Sequence, residues 1–282
     1  MLGFIGGSGI YEALPLENTH TEDVTTPYGD PSAPIEVGEL AGEEVAFVPR
    51  HGADHQYTPT EVPYRANVYA LKSLGVERVI ASNAVGSLQE AYPPRTLVLP
   101  DQFVDRTRDR EYSFFGDGIV VHQELAEPYC PHLTEHLAAA AAEATNADCA
   151  LGGTYVCIEG PQYSTKAESE WFRERGWEVI GMTTVPEAKL AREAELCYAT
   201  VAGVTDWGVW KGADEDRLSS VLENAAANED AIKALVEHPV RTLPDERDCG
   251  CGHALAGTVN TPTEAIPAKT RERVDLLVGE YL

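Results

Sequence analysis

The sequence predicts an α/β fold: a single domain with a mixed central β-sheet flanked by helices. Three observations carry this. Short β-rich runs alternate with helical patterns, several of those runs end in polar or glycine-rich segments, and 282 residues that are 43% hydrophobic suffice for one substantial core. No tract rich in Pro, Gly or Ser interrupts the chain before about its last thirty residues. The expected division is a domain over 1–245 and a tail over 246–282 that carries the Cys249-Gly250-Cys251 pair.

Strands are predicted at Leu2–Ile5, Val45–Val48, Arg78–Ala81, Tyr155–Ile158, Val179–Ile180 and Tyr198–Val204. The first helix is predicted over Tyr64–Leu74, because Tyr64, Val68 and Leu71 share one face at i, i+4, i+7 and Pro63 precedes the start. Further helices are expected at Leu133–Ala144, Ala167–Arg175, Glu187–Glu195 and Leu218–Glu237, the last being the longest. Residues after about Pro244 read as an irregular tail with a short helix at Thr270–Gly279.

The charge balance narrows the partners. With 46 acidic and 21 basic residues the formal net charge is −25, a field that repels nucleic acid and anionic lipid. Acid spread over every segment rather than in one tail fits whole-surface solvation in a salt-rich cytoplasm. The N-terminus has no basic region ahead of its short apolar run, and no apolar run reaches the roughly 18–20 residues of a membrane span. A cytoplasmic protein without a membrane partner is expected. The six cysteines, at 130, 149, 157, 197, 249 and 251, show no zinc spacing. The CxC pair reads as redox-active, as a weak metal clip, or as neither.

Function is to be sought where the strands end. Leu2–Ile5 runs into Gly6-Gly7-Ser8-Gly9, Val45–Val48 into Arg50-His51-Gly52, and Arg78–Ala81 into Ser82-Asn83-Ala84-Val85-Gly86-Ser87. Val179–Ile180 runs into Met182-Thr183-Thr184, and Tyr198–Val204 into Thr205-Asp206-Trp207. In a mostly parallel sheet the carboxyl ends gather at one edge, where α/β sites form. The glycine-rich segment offers close backbone approach, free N–H groups and a hydroxyl, which suit a phosphate. It lacks the Lys-Ser/Thr ending of a Walker loop, and on its own it reads first as a tight turn. Arg50 and His51 supply a fixed cation and a second donor for an anion, unless Arg50 serves a surface salt bridge. Ser8, Asn83, the Ala84 N–H and Thr183 would complete the cradle. Asp206 closes an apolar strand, where burial would raise its pKa and let it donate a proton to a leaving group, unless it caps a turn.

These residues stand in segments that together resemble the methylthioadenosine phosphorylase branch of the trimeric purine nucleoside phosphorylase family. The segments are IGGSG, TPYGDPSAP, RHGADH, PYRANVYALKSLG, NAVGSL, DQFVDRT, AEPYCP, IEGPQYSTKAES, GMTTVPE and VTDWGVW, in order from about residue 4 to 210. The resemblance implies the nucleoside phosphorylase fold over 1–245, phosphate as co-substrate, and no metal or organic cofactor. It implies phosphate contacts from Ser8, Arg50, His51, Asn83, Ala84 and Thr183. Met182 would lie along the ribose, Tyr163 near the base, and Asp206 at N7 as the catalytic carboxylate. His122 would reach the 5′ pocket of a neighbouring subunit, so a homotrimer or homohexamer is implied. By the same resemblance, Cys130 and Cys197 occupy positions that some archaeal relatives pair as a disulfide. Adenine-reading members carry a second Asp where this chain has Gly208, which leaves 6-oxopurine nucleosides and methylthioinosine as alternative substrates. A hydrolytic nucleosidase and a non-catalytic nucleoside-binding module are the competing readings.

Overall fold

The computed structural model describes residues 1–7, 14–212 and 217–282. Its strands are β1 (Leu2–Gly6), β2 (Glu17–Glu22), β3 (Ile35–Leu40), β4 (Glu43–Pro49), β5 (Arg78–Ser87), β6 (Leu97–Leu99), β7 (Gln102–Arg106), β8 (Cys149–Leu151), β9 (Thr154–Ile158), β10 (Val179–Gly181) and β11 (Cys197–Asp206). The helices are α1 (Tyr64–Ser73), α2 (Pro131–Ala144), α3 (Lys166–Arg173), α4 (Thr184–Glu193), α5 (Arg217–Thr242) and α6 (Ala268–Val278). All the strands belong to one mixed sheet. One path runs β2-β3-β4-β1-β5-β10-β9-β7, while β11 lies on the other edge of β5 and leads through β6 to β8.

The sheet is covered on both faces, which explains why its central strands read as unbroken apolar runs. Successive side chains of β1 point opposite ways. Phe4 joins Ile80 and Ala199 in a layer packed under α2 and α5, with Leu137 and Leu235. Ile5 joins Ala81 and Tyr198 in a second layer under α1 and α4, with Val68 and Leu190. The face of α1 that carries Tyr64, Val68 and Leu71 is the buried one, as its spacing predicts. A capping box between Thr165 and Glu168 starts α3.

Two departures from the expected layout create the site. First, Ser82–Ser87 is no turn after a strand but the second half of β5, which pairs along its length with parallel β11, from Arg78↔Cys197 to Gly86↔Asp206. Second, β10 runs antiparallel to β5, pairing Ile180 with Gly86 and Val179 with Ser87. β11 occupies one edge of β5, so β1 and β10 share the other. β1 pairs only as far as Ala81, and β10 pairs at Gly86 and Ser87. Residues 82–85 thus face a gap between two strand ends. Ala84 is the one exposed residue of this otherwise largely buried strand, because it floors the gap.

The C-terminal residues are more ordered than an irregular tail. The expected helix forms as α6, and Ile119, Leu255, Ile266, Val274 and Val278 make a core of their own. No helix among the described residues is long and apolar enough to cross a membrane.

Candidate active site

The gap in the sheet opens into a cavity of about 590 Å³. Nine of the residues singled out from the sequence line it: Arg50, His51, Asn83, Ala84, Tyr163, Met182, Thr183, Asp206 and Gly208. Ser8 lies outside the described residues. His122 is exposed and stands away from the cavity; its backbone N–H donates to Thr258 O at 3.0 Å.

At the Arg50 end the backbone comes close enough to require glycine. A Cβ on Gly7 would sit 2.5 Å from Ser82 O and 2.8 Å from Arg50 Nη1. The Gly7 N–H donates to Ser82 Oγ at 3.0 Å, tying the end of β1 to β5. Arg50 follows the last residue of β4 and is wholly buried. Its Nη1 donates to Ser82 O at 2.8 Å, so the Ser82 backbone faces the gap. Ala84, two residues on, directs its own N–H to the same edge.

Arg50 is not a lone cation. Nε and Nη2 donate to the two Glu187 oxygens at 2.7 and 2.8 Å, in a bidentate pair in which both side chains are 1% exposed. Burial alone would lower the guanidinium pKa, and the Glu187 carboxylate more than offsets this, so Arg50 is held charged. The Tyr198 hydroxyl donates to Glu187 Oε1 at 2.8 Å, which fixes the carboxylate in turn. The cavity therefore receives an oriented fork of N–H groups rather than a free positive charge. In a chain with a formal charge of −25, an anion at this point would have to be held by directed hydrogen bonds rather than by overall attraction.

His51 corrects the sequence reading, which made it a second donor. Its Nδ1 lies 2.9 Å from Tyr57 O, and a carbonyl can only accept, so the ring proton sits on Nδ1. Burial, reinforced by the Arg50 charge, lowers the ring pKa to about 4 and leaves the imidazole neutral. Nε2 is therefore a lone-pair acceptor, suited to the P–OH of a protonated phosphate. His55 stacks on the ring with centroids 4.7 Å apart.

Thr183 supplies a hydroxyl. Asn83 Nδ2 donates to Thr183 Oγ1 at 2.5 Å, which leaves the threonine proton to be given to another group. Asn83 Oδ1 is buried without a protein partner. Val185 leaves helical geometry, and this turns the start of α4 back so that Glu187 meets Arg50. Arg110 holds that bend: Nη1 donates to Met182 O and Val185 O, both at 2.5 Å, and Nη2 donates to Glu159 O at 2.5 Å. Glu187 and Arg110 had no role in the sequence reading. A Pro-Glu beginning a helix and an Arg in a loop look like ordinary surface residues, and only the crossing of chain segments reveals them.

At the opposite end Asp206 closes β11, half-buried. Its Oδ1 accepts from the Gly208 N–H at 2.7 Å and its Oδ2 from the Thr205 hydroxyl at 3.0 Å. The carboxylate is thus held by turn geometry at the mouth of the gap, and the expectation of an Asp buried by its apolar strand is corrected to a partly exposed, hydrogen-bonded one. Gly208 adopts φ +66°, a left-handed conformation that favours glycine and aims its N–H at Asp206. Tyr163 is 68% exposed at the rim. The facing wall comes from α5 and is mostly apolar, with Val221, Leu222 and Ala225 beside Glu229.

The family model for the phosphorylase superfamily matches residues 1–241. The chain belongs to this superfamily. It is similar to S-methyl-5′-thioadenosine phosphorylase of Geobacter sulfurreducens, 46% identical over 284 residues that cover 100% of this chain and 99% of the relative. It is 49% identical to the enzyme of the same name from Pyrococcus furiosus over 254 residues, 90% of this chain and 97% of the other. Among solved structures it resembles a methylthioadenosine phosphorylase from an antarctic soil metagenomic library, with a TM-score of 0.87, 44% identity and 98% of each chain covered. The adenine complex of the Schistosoma mansoni methylthioadenosine phosphorylase matches with a TM-score of 0.83 and 34% identity over 90% of this chain and 95% of that one. The chain is an enzyme of the nucleoside phosphorylase type, and the mixed sheet flanked by helices is the fold of these relatives.

Proposed function

We propose that this enzyme cleaves 5′-methylthioadenosine, or a closely related purine nucleoside, with inorganic phosphate to give the free base and 5-methylthioribose-1-phosphate. The observation that carries this is the cavity itself. Hydrogen-bond donors for an anion cluster at one end, a carboxylate stands at the other, and the gap in the sheet lies between. The identity to named methylthioadenosine phosphorylases over essentially the full chain supports the substrate, and the apolar α5 wall suits a methylthio group.

In this reading phosphate rests on the Arg50 fork, the Ala84 N–H and the Thr183 hydroxyl, with its P–OH donated to His51 Nε2, and with Ser8 and Asn83 completing the cradle. Positioning of this kind removes much of the entropic barrier. A phosphate oxygen bonds to C1′ as the C1′–N9 bond breaks with its electron pair going to the purine. The sugar passes through oxocarbenium character, which the phosphate charge stabilises. A proton delivered at N7 through Asp206 neutralises the departing base, and the proton of the phosphate is released to restore the balance. Met182 lines the ribose and Tyr163 covers the base. Gly208 acts through its backbone, by aiming Asp206. No cofactor enters the scheme.

The same reading includes a homotrimer or homohexamer in which His122, exposed and outside its own cavity, serves a neighbouring subunit, and a cytoplasmic setting with no nucleic-acid or membrane partner. Residues 1–245 would be the catalytic unit, which the 1–241 span of the family model supports, and 246–282 an appended segment. Turnover of methylthioadenosine, methylthioinosine, inosine and adenosine, each with and without phosphate, tests it. Phosphate-dependent turnover with methylthioadenosine preferred is expected. A preference for inosine would overturn the substrate, and turnover indifferent to phosphate would overturn the reaction.

A further inference from the structure

Far from the cavity, four cysteines from three parts of the chain converge. Cys130 caps α2, Cys197 begins β11, and Cys249 and Cys251 bracket a turn of the C-terminal segment. All four sulfurs lie within 4.8 Å of one another, and three of the residues are buried. Cys197 Sγ and Cys249 Sγ are 3.3 Å apart. We propose that these four side chains form a tetrathiolate site for a single Zn²⁺ ion that fastens the C-terminal segment to the body of the enzyme.

The dimensions fit. A tetrahedral zinc with Zn–S bonds of about 2.3 Å sets its sulfurs about 3.8 Å apart. Each sulfur here is close to all three others, the arrangement of ligands round a common centre. Two disulfides would instead require each sulfur to choose one partner. The cage is also too tight for a multi-iron cluster, whose inorganic sulfides would have to fit inside it. Four soft thiolates with no oxygen ligand select zinc over hard cations.

The surroundings complete the site. Four thiols lose four protons on binding, so the ligated centre carries a net charge of −2. The Arg192 guanidinium donates to Cys251 Sγ at 3.4 Å and to the Glu127 carbonyl, and so offers an outer-shell cation. The scaffold is held independently of any metal. The Cys130 N–H donates to Tyr198 O at 2.8 Å, beside Cys197, and Arg247 Nη1 reaches Glu195 O at 2.8 Å. Arg78, opposite Cys197 in the sheet, donates to the carbonyls of Pro244, Asp245 and Glu246. A cavity of about 160 Å³ lined by His132, His136 and three of the cysteines gives a route in. The linear spacing hides the site, because only two of its ligands are neighbours in sequence.

Cys197 and Asp206 stand at opposite ends of β11, about 30 Å apart at a strand's rise of about 3.3 Å per residue. The ion would therefore act on stability and leave the chemistry alone. The test is metal analysis of the full chain, purified without chelator and reconstituted with ZnCl₂ under reducing conditions. About one zinc per chain is expected, and Co²⁺ in its place should give thiolate-to-cobalt charge-transfer absorption and the visible bands of a tetrahedral ion. Cys251→Ser and Cys249→Ser should lower zinc occupancy at least about tenfold and lower the melting temperature, with KM for the nucleoside unchanged. Cys149→Ser, outside the group, should keep the metal. If the cluster variants fail to fold, mercurial titration of the intact chain decides, with one zinc released as the four thiols react. Zinc below about 0.1 per chain after reconstitution, or a non-reduced chain lighter by four hydrogens with both pairs of these cysteines disulfide-linked, would overturn the proposal.

Discussion

Glu187→Gln isolates the contribution of a residue that touches neither phosphate nor nucleoside in the proposed scheme. It keeps the size of the side chain and removes the charge opposite a wholly buried Arg50. Both partners are 1% exposed, so water cannot screen the loss. Removing one member of such a pair costs about 3–5 kcal/mol. For a chain of this size, at about 2–4 °C per kcal/mol, the melting temperature should fall by about 6–20 °C. Phosphate would then be the only anion left to Arg50. The melting temperature should therefore rise more steeply with phosphate in the variant than in the wild type, a gain of about 2.7 kcal/mol at a hundred times Kd being the scale of the effect. At the same time kcat/KM for phosphate should fall, because the guanidinium loses its bidentate support. Thermal melts over a phosphate series, paired with initial rates, measure both. A variant that melts within about 2 °C of the wild type, or that gains no more from phosphate, would refute the view that Glu187 neutralises and orients Arg50.

Three further outcomes follow from the geometry. Folded His51 binds its proton only near pH 4, against 6.5 when unfolded. Stability is thus full above pH 6.5 and falls by about 3 kcal/mol as the pH drops toward 4, because the unfolded chain takes up a proton the folded one refuses. In denaturant titrations at pH 7.5 and pH 4, His51→Gln should lose about that much less than the wild type, and equal losses would contradict the burial argument. Gly7→Ala forces a Cβ to within 2.8 Å of both Ser82 O and Arg50 Nη1, so it should cost about 1–3 kcal/mol and weaken phosphate more than nucleoside, read from the two KM values. Asp206→Ala should lower kcat by about 10²–10⁴ while phosphate binding, measured calorimetrically, stays near native; near-native phosphorolysis would remove Asp206 from its role.

The sequence makes the central strands legible because both faces of the sheet are buried and the runs are unbroken. It hides β2, whose Glu17–Glu22 stretch is polar and largely exposed at an edge, and it disguises the end of β5. Ser82–Ser87 has turn-like composition, yet it forms a strand because β11 supplies backbone partners along its length. Of the polar side chains that suggested a loop, Ser82 accepts from the Gly7 N–H and Asn83 donates to Thr183 beside the gap, while Ser87 bonds back to the Gln89 carbonyl. Arg50 and Asp206 are conspicuous as charged residues after apolar runs. Glu187 and Arg110 are not, since their importance comes from contacts with residues 137 and 72 positions away. The direction of β10 could not be read either, and it turns a row of strand ends into a gap between two of them. His51 shows a different limit: its residue type was informative, but only the Tyr57 carbonyl decides that it accepts where a donor was expected.

In the proposed reaction phosphate itself forms the new bond to the sugar. Turnover of methylthioadenosine in phosphate labelled with ¹⁸O on all four oxygens, followed by mass spectrometry of the sugar product, tests this directly. One sugar phosphate per base released, carrying all four labelled oxygens, is expected. Free methylthioribose without phosphate, formed at the same rate when phosphate is left out, would contradict it.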